Sequence, residues 1–77
     1  MSMAEEFRPR HRVMLGSRLQ SKREEEGWSR EQVAEMTGYT VATIRKVEEG
    51  VFNVPIDVVS RIADIYGCEL AFQNKED

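Results

Sequence analysis

Apolar positions recur at helical spacing in several stretches of this 77-residue chain, and residues that start or stop helices bound each stretch. Leu15 and Leu19 are four apart, with Met14 beside them, and put one apolar face on a helix expected from about His11 to Glu26. Gly16 weakens that helix slightly unless another helix packs closely against it, and Gly27 stands where it should stop. Pro9 disfavours helix at Arg8 and before, so residues 1–10 are expected as a flexible basic arm. Near the other end, Val59, Ile62, Ala63 and Tyr66 fall at i, i+3, i+4 and i+7 and predict a helix from about Pro55 to Tyr66. Proline is tolerated in a first turn, Asp57 there favours the helix dipole, and Gly67 follows as a stop.

The middle of the chain carries two start signals in succession. Ser29 and Gln32 are spaced as a capping box, with Trp28 and Val33 placed as the hydrophobic staple around it. This helix ends at Gly38. Thr40 is then the N-cap of a third helix, with Tyr39 and Ile44 as its staple, Ile44 and Val47 facing inward, and Gly50 as its end. Two short helices joined at Gly38-Tyr39-Thr40 describe a helix-turn-helix. Residues 68–73 instead alternate, with Cys68, Leu70 and Phe72 on one side, and read as a short strand. A lone strand cannot satisfy its own backbone. Pairing with the same strand of a second copy, through Leu70 and Phe72, satisfies it by two-fold symmetry. Asn74–Asp77 is expected as a disordered tail.

Length and composition narrow the class. The chain makes one domain at most, and a core this small generally needs a staple or a partner. Cys68 is the only cysteine, so no internal disulfide exists and a reducing cytoplasm suits the chain. No apolar stretch follows the basic N-terminal residues as in a signal peptide, and no apolar run approaches a membrane span. The expectation is a soluble, cytoplasmic protein that associates with itself and not with a membrane. His11 is the only histidine, Cys68 has no second metal ligand nearby, and the five glycines form no phosphate loop. No cofactor, metal or catalysis is therefore expected. Trp28 and Tyr39 read as staples and not as stacking platforms for a ligand.

The segment from Leu15 to Leu70 resembles the lambda-repressor-like helix-turn-helix domain of the Xre and Cro/C1 type. The resemblance rests on Leu15-Gly16 and Arg18-Leu19, Arg23 with Gly27-Trp28-Ser29, and Val33-Ala34-Glu35. It continues through Gly38-Tyr39-Thr40, Thr43-Ile44, Val47-Glu48-x-Gly50, Ile62-Ala63 and Tyr66-Gly67. It implies an all-α bundle of four to five helices over residues 11–67, followed here by the short strand. The third helix, about 41–49, would lie in the major groove of double-stranded DNA and the second across the backbone. It further implies that Ala34 is the small residue between these helices, that Gly38 makes the turn, and that Arg23 pairs with Glu48.

The same pattern puts base-facing residues near Val41, Ala42 and Lys46, with Arg45 beside them and Thr40 and Thr43 donating to phosphates. Arg30 stands where the family often carries a glutamine against the backbone. Arg10 and Arg12 would follow phosphates or the groove from the arm. Val41 and Ala42 offer no hydrogen bonds, a departure from the glutamine-rich helices of phage repressors. The net charge of −3 disfavours a polyanion on average, yet residues 1–23 hold six basic side chains against two acidic ones, a local +4. The expected function is a homodimeric, sequence-specific transcriptional regulator of repressor type, its reading helices about 34 Å apart. Two alternatives stand beside it: an antitoxin-like DNA-binding protein that also holds a toxin partner, and an interaction module that has lost DNA binding.

Overall fold

Residues 7–68 are described in a computed structural model of the chain, where the expected caps and stops set the element ends. Four helices follow one another: α1 (Arg10–Glu26), α2 (Arg30–Thr37), α3 (Val41–Glu49) and α4 (Ile56–Asp64). Ser29 Oγ accepts the amide of Gln32 at 3.1 Å while Gln32 Oε1 accepts the amide of Ser29 at 2.8 Å, which completes the capping box of α2. Thr40 Oγ1 accepts the Thr43 amide at 3.1 Å and caps α3.

Three boundaries differ from the sequence reading, one of them the start of the last helix at Ile56, with Pro55 in the N-cap position. The first helix starts one residue early, at Arg10, because Pro9 takes the N-cap position and its carbonyl accepts the Val13 amide at 3.0 Å. The last helix stops at Asp64, not Tyr66, since residues 65–67 turn out of it. The amides of Gly67 and Cys68 donate to Asp64 and Ala63 at 3.0 and 3.1 Å and close that turn. Tyr66, the end of the apolar stripe, therefore sits in the turn and is half-buried. Among the described residues there is no strand. Of the expected strand, residues 68–73, only Cys68 is described, and it is not in a strand; the rest, with Leu70 and Phe72, lies outside the described residues, as do residues 1–6 and the tail.

The core is built where the four faces meet: Leu19 of α1, Val33 and Ala34 of α2, Ile44 and Val47 of α3, Val51 and Val54 of the loop, and Val59, Ile62 and Ala63 of α4. Trp28 and Tyr39 pack against this core as the staples require, and Trp28 stacks on Tyr66 with ring centroids 5.8 Å apart. The helices α1 and α3 share the most extensive packing. Its closeness depends on Gly16, whose backbone lies so near the end of α3 that a Cβ there would collide with the carbonyl oxygens of Val47 and Glu48. Gly50 mirrors this: it ends α3 at φ 80°, and a Cβ on it would come within 2.6 Å of the Val13 backbone.

Candidate nucleic-acid interface

The geometry starts at the turn between α2 and α3. Gly38 adopts φ 81° and its amide donates to Ala34 at 2.9 Å, which ends α2 in the left-handed conformation that favours glycine. The buried Thr37 hydroxyl donates to the Val33 carbonyl, four residues back, at 2.8 Å and so is satisfied within the helix. Ala34 is buried, consistent with the small side chain expected at this crossing. The turn is thus short and held at both ends.

Burial of Ile44, Val47 and Glu48 orients α3. At 3.6 residues per turn, Ala42, Arg45, Lys46 and Glu49 then fall on the opposite, outer side. Val41 and Ala42 are exposed, and Thr43, Arg45 and Lys46 are half-buried. The Thr40 and Thr43 hydroxyls lie 3.0 Å apart. Thr43 and Lys46 also line a shallow groove toward the start of α4, with Tyr39, Asn53, Val54, Pro55 and Val58. Asn53 is exposed there and was not anticipated, because no periodicity or cap singles out a loop residue.

Behind this face sits a buried carboxylate. Glu48 is 5% exposed. Its Oε2 accepts Arg23 Nε at 2.7 Å, and its Oε1 accepts Arg23 Nη2 at 3.3 Å and Arg30 Nε at 3.0 Å. Arg23 also donates from Nη1 to the Trp28 carbonyl at 2.9 Å. One carboxylate therefore ties together α1, the start of α2 and the end of α3. The hydrogen bond to Glu48 raises the Arg23 pKa above its ordinary value, against the opposing effect of desolvation. The expected Arg23–Glu48 pair is present. Arg30, expected to face phosphate, donates its Nε to Glu48 at 3.0 Å while its side chain stays 31% exposed.

The arm residues are distributed differently from one another. Arg10 is exposed at the first turn of α1. Arg12 is engaged with the protein: Nη1 donates to the Val54 carbonyl at 2.6 Å, and the guanidinium lies 5.9 Å from the centre of the Phe52 ring. Phe7 packs edge-on against Phe52, and the Phe52 amide donates to the Phe7 carbonyl at 2.6 Å. Arg8 Nη2 meets Glu49 Oε1 at 3.0 Å, and Arg45 Nη1 meets the same oxygen at 2.7 Å. Phe7 and Arg8, the end of the expected arm, are thus tied to the last turn of α3 and its following loop. The Arg45–Glu49 pair has a local signal, an i, i+4 spacing that was not anticipated as a contact; the pairing with Arg8 has none.

Among the described residues no helix is long and apolar enough to cross a membrane, and no cluster of three or more His, Cys, Asp or Glu side chains is placed to hold a metal ion. No curated protein matches the chain. A family model described as helix-turn-helix matches residues 19–73, well over half of the sequence. With its capped and glycine-ended pair of short helices, the chain belongs to the Xre and Cro/C1-like helix-turn-helix family, a family of DNA-binding proteins.

Proposed function

We propose that this protein is a sequence-specific transcriptional regulator of repressor type that binds DNA as a homodimer, with α3 in the major groove and the N-terminus of α2 on the phosphate backbone. The observation that carries the reading is the division of α3 into two sides. One side, Ile44, Val47 and Glu48, is buried. The other presents Ala42, Arg45 and Lys46 on a helix whose turn and cap are held by hydrogen bonds.

Lys46 and Arg45 are the polar readers, suited to guanine edges or phosphates, while Val41 and Ala42 meet thymine methyls. Thr40, Thr43 and Arg30 bind phosphates. The Nε of Arg30 is on Glu48, which leaves its Nη groups as the end that meets the backbone. Arg10 extends the positive surface from α1. Arg12 contributes to the fold through Val54 and Phe52 and to DNA only by its charge. Dimerisation through Leu70 and Phe72 is supported by the alternating pattern of residues 68–73.

Fluorescence anisotropy with duplex DNA at low and high salt tests the reading. The chain should bind with affinity that falls steeply as salt rises, and Arg45→Glu with Lys46→Glu should abolish binding. Unchanged affinity in that double variant removes α3 as the reader. Selection of bound sequences from a random pool should return half-sites one helical turn apart. A Leu70→Asp, Phe72→Asp variant should sediment as a monomer, and a persistent dimer rejects that interface.

A further inference from the structure

The outer side of α3 carries a carboxylate as well as cations. By helical spacing Glu49 shares that side with Ala42, Arg45 and Lys46. Its side chain is 34% exposed, and its Oε1 accepts from Arg45 at 2.7 Å and from Arg8 at 3.0 Å. Two guanidinium groups, one from α3 and one from the segment before α1, share a single oxygen. Glu48, next to it in sequence, is turned inward and serves the core.

Exposed pairs of this kind add little to stability, so their consequence lies in what they do to an approaching polyanion. A phosphate that recruits Arg8 or Arg45 must draw it from Glu49 and then face the carboxylate. Binding that depends on phosphates alone, to any duplex, bears this repulsion in full. A matched site has a compensation, because amino groups of cytosine and adenine project into the major groove and a carboxylate accepts from them.

We propose that Glu49 is a specificity-determining residue, which withholds Arg8 and Arg45 from phosphates and lowers affinity for unmatched duplex more than for the matched operator. The inference rests on the assignment of α3 as the reading helix.

The test compares the full chain with Glu49→Gln and with Glu25→Gln. Glu25 is an exposed carboxylate of α1 in the groove beside Cys68, so the second variant controls for net charge. Each is titrated by anisotropy with a random-sequence duplex and with the duplex selected from the random pool, across 50–200 mM salt. Glu49→Gln should bind the random duplex several-fold more tightly at the low-salt end. Its salt slope should steepen by about one, which makes its affinity change by roughly threefold more than wild type across that range. Its gain on the selected duplex should be smaller, and Glu25→Gln should gain less on both. Adding Arg45→Gln to Glu49→Gln should return random-duplex affinity toward wild type.

Equal gains for Glu49→Gln and Glu25→Gln overturn the inference, as does an unchanged random-duplex affinity, while wild-type binding to the selected duplex leaves the reading of α3 intact. If neither wild type nor Glu49→Gln shows salt-dependent binding to any duplex, the reading of α3 itself falls and takes this inference with it.

Discussion

Arg23 Nε donates to Glu48 Oε2 at 2.7 Å, and this bond fastens α1 to the last turn of α3. The carboxylate is nearly sealed from solvent, with a side-chain exposure of 2%, against 12% for Arg23. Removing Glu48 leaves the Arg23 guanidinium largely buried, without a counter-charge and with only its bond to the Trp28 carbonyl. Glu48→Ala should cost about 3–5 kcal/mol. A domain of this size has a total stability on the order of 5 kcal/mol, so the variant should retain at most about 2 kcal/mol and melt at a much lower temperature by far-UV circular dichroism. Arg23→Met combined with Glu48→Leu should be less damaging than Glu48→Ala, because no unpaired buried charge remains in that pair. A double variant as unstable as the single one would contradict this account.

Gly16→Ala tests the close crossing of α1 and α3. Helix propensity alone favours alanine over glycine by about 1 kcal/mol. The added Cβ would collide with the backbone carbonyls of Val47 and Glu48, which no side-chain rotation relieves. Overpacking of this kind costs about 1–3 kcal/mol, so the expected net effect is a lower melting temperature. Ser17→Ala, next along the helix and exposed, should leave it unchanged or slightly higher. A rise in Gly16→Ala would mean that the helices separate freely.

Tyr66 links stability to alkaline pH. Its hydroxyl is buried with no hydrogen-bond partner among the described residues. Burial, reinforced by the negative charge of Glu48, pushes its pKa up from 10.0 to about 12. Below pH 10 both folded and unfolded chains keep the proton. As pH rises from 10 toward 12 the unfolded chain releases a proton that the folded chain retains, so stability falls through that window. Tyr66→Phe should flatten this part of the urea-midpoint profile. At neutral pH it should be neutral or stabilising by about 1 kcal/mol, since it deletes an unpaired buried polar group. An unaltered alkaline profile would show that Tyr66 is not responsible.

Thr40→Ala removes the only side-chain cap of α3, and the expected loss is about 1 kcal/mol. Thr43→Ala should cost less, because the Thr43 amide keeps its bond to Thr40 Oγ1 and only the contact between the two hydroxyls is lost. Chemical denaturation of the two variants measures the difference. Equal losses would shift the importance from the cap to the hydroxyl pair.

The parts of this protein legible from its sequence are those decided within about one helical turn. The Ser29–Gln32 box, the Thr40 cap and the glycine ends depend on residues three or four apart, and they fell where the residues predicted. The apolar stripe of α4 located its core face, though its extent was overread: Tyr66 satisfies the spacing while the backbone has already turned, with Gly67 at φ 72°. The Arg23–Glu48 pair was expected only through resemblance to a family, since nothing near either residue announces the other.

By itself, then, the sequence determined four helices, the caps and glycine ends of α2 and α3, the tight turn between them, and the faces that had to be buried. Those follow from backbone hydrogen bonds at helix ends and from the period of apolar side chains, both local quantities. Tertiary structure alone decided that Arg30 shares Glu48, eighteen residues away, and that Arg8 reaches Glu49 across forty-one. It also decided that the Gly16 backbone lies against the carbonyls of Val47 and Glu48 at the end of α3. Charged side chains on separate elements can pair in many ways, and which pairs form is set only once the buried faces have fixed where each helix lies.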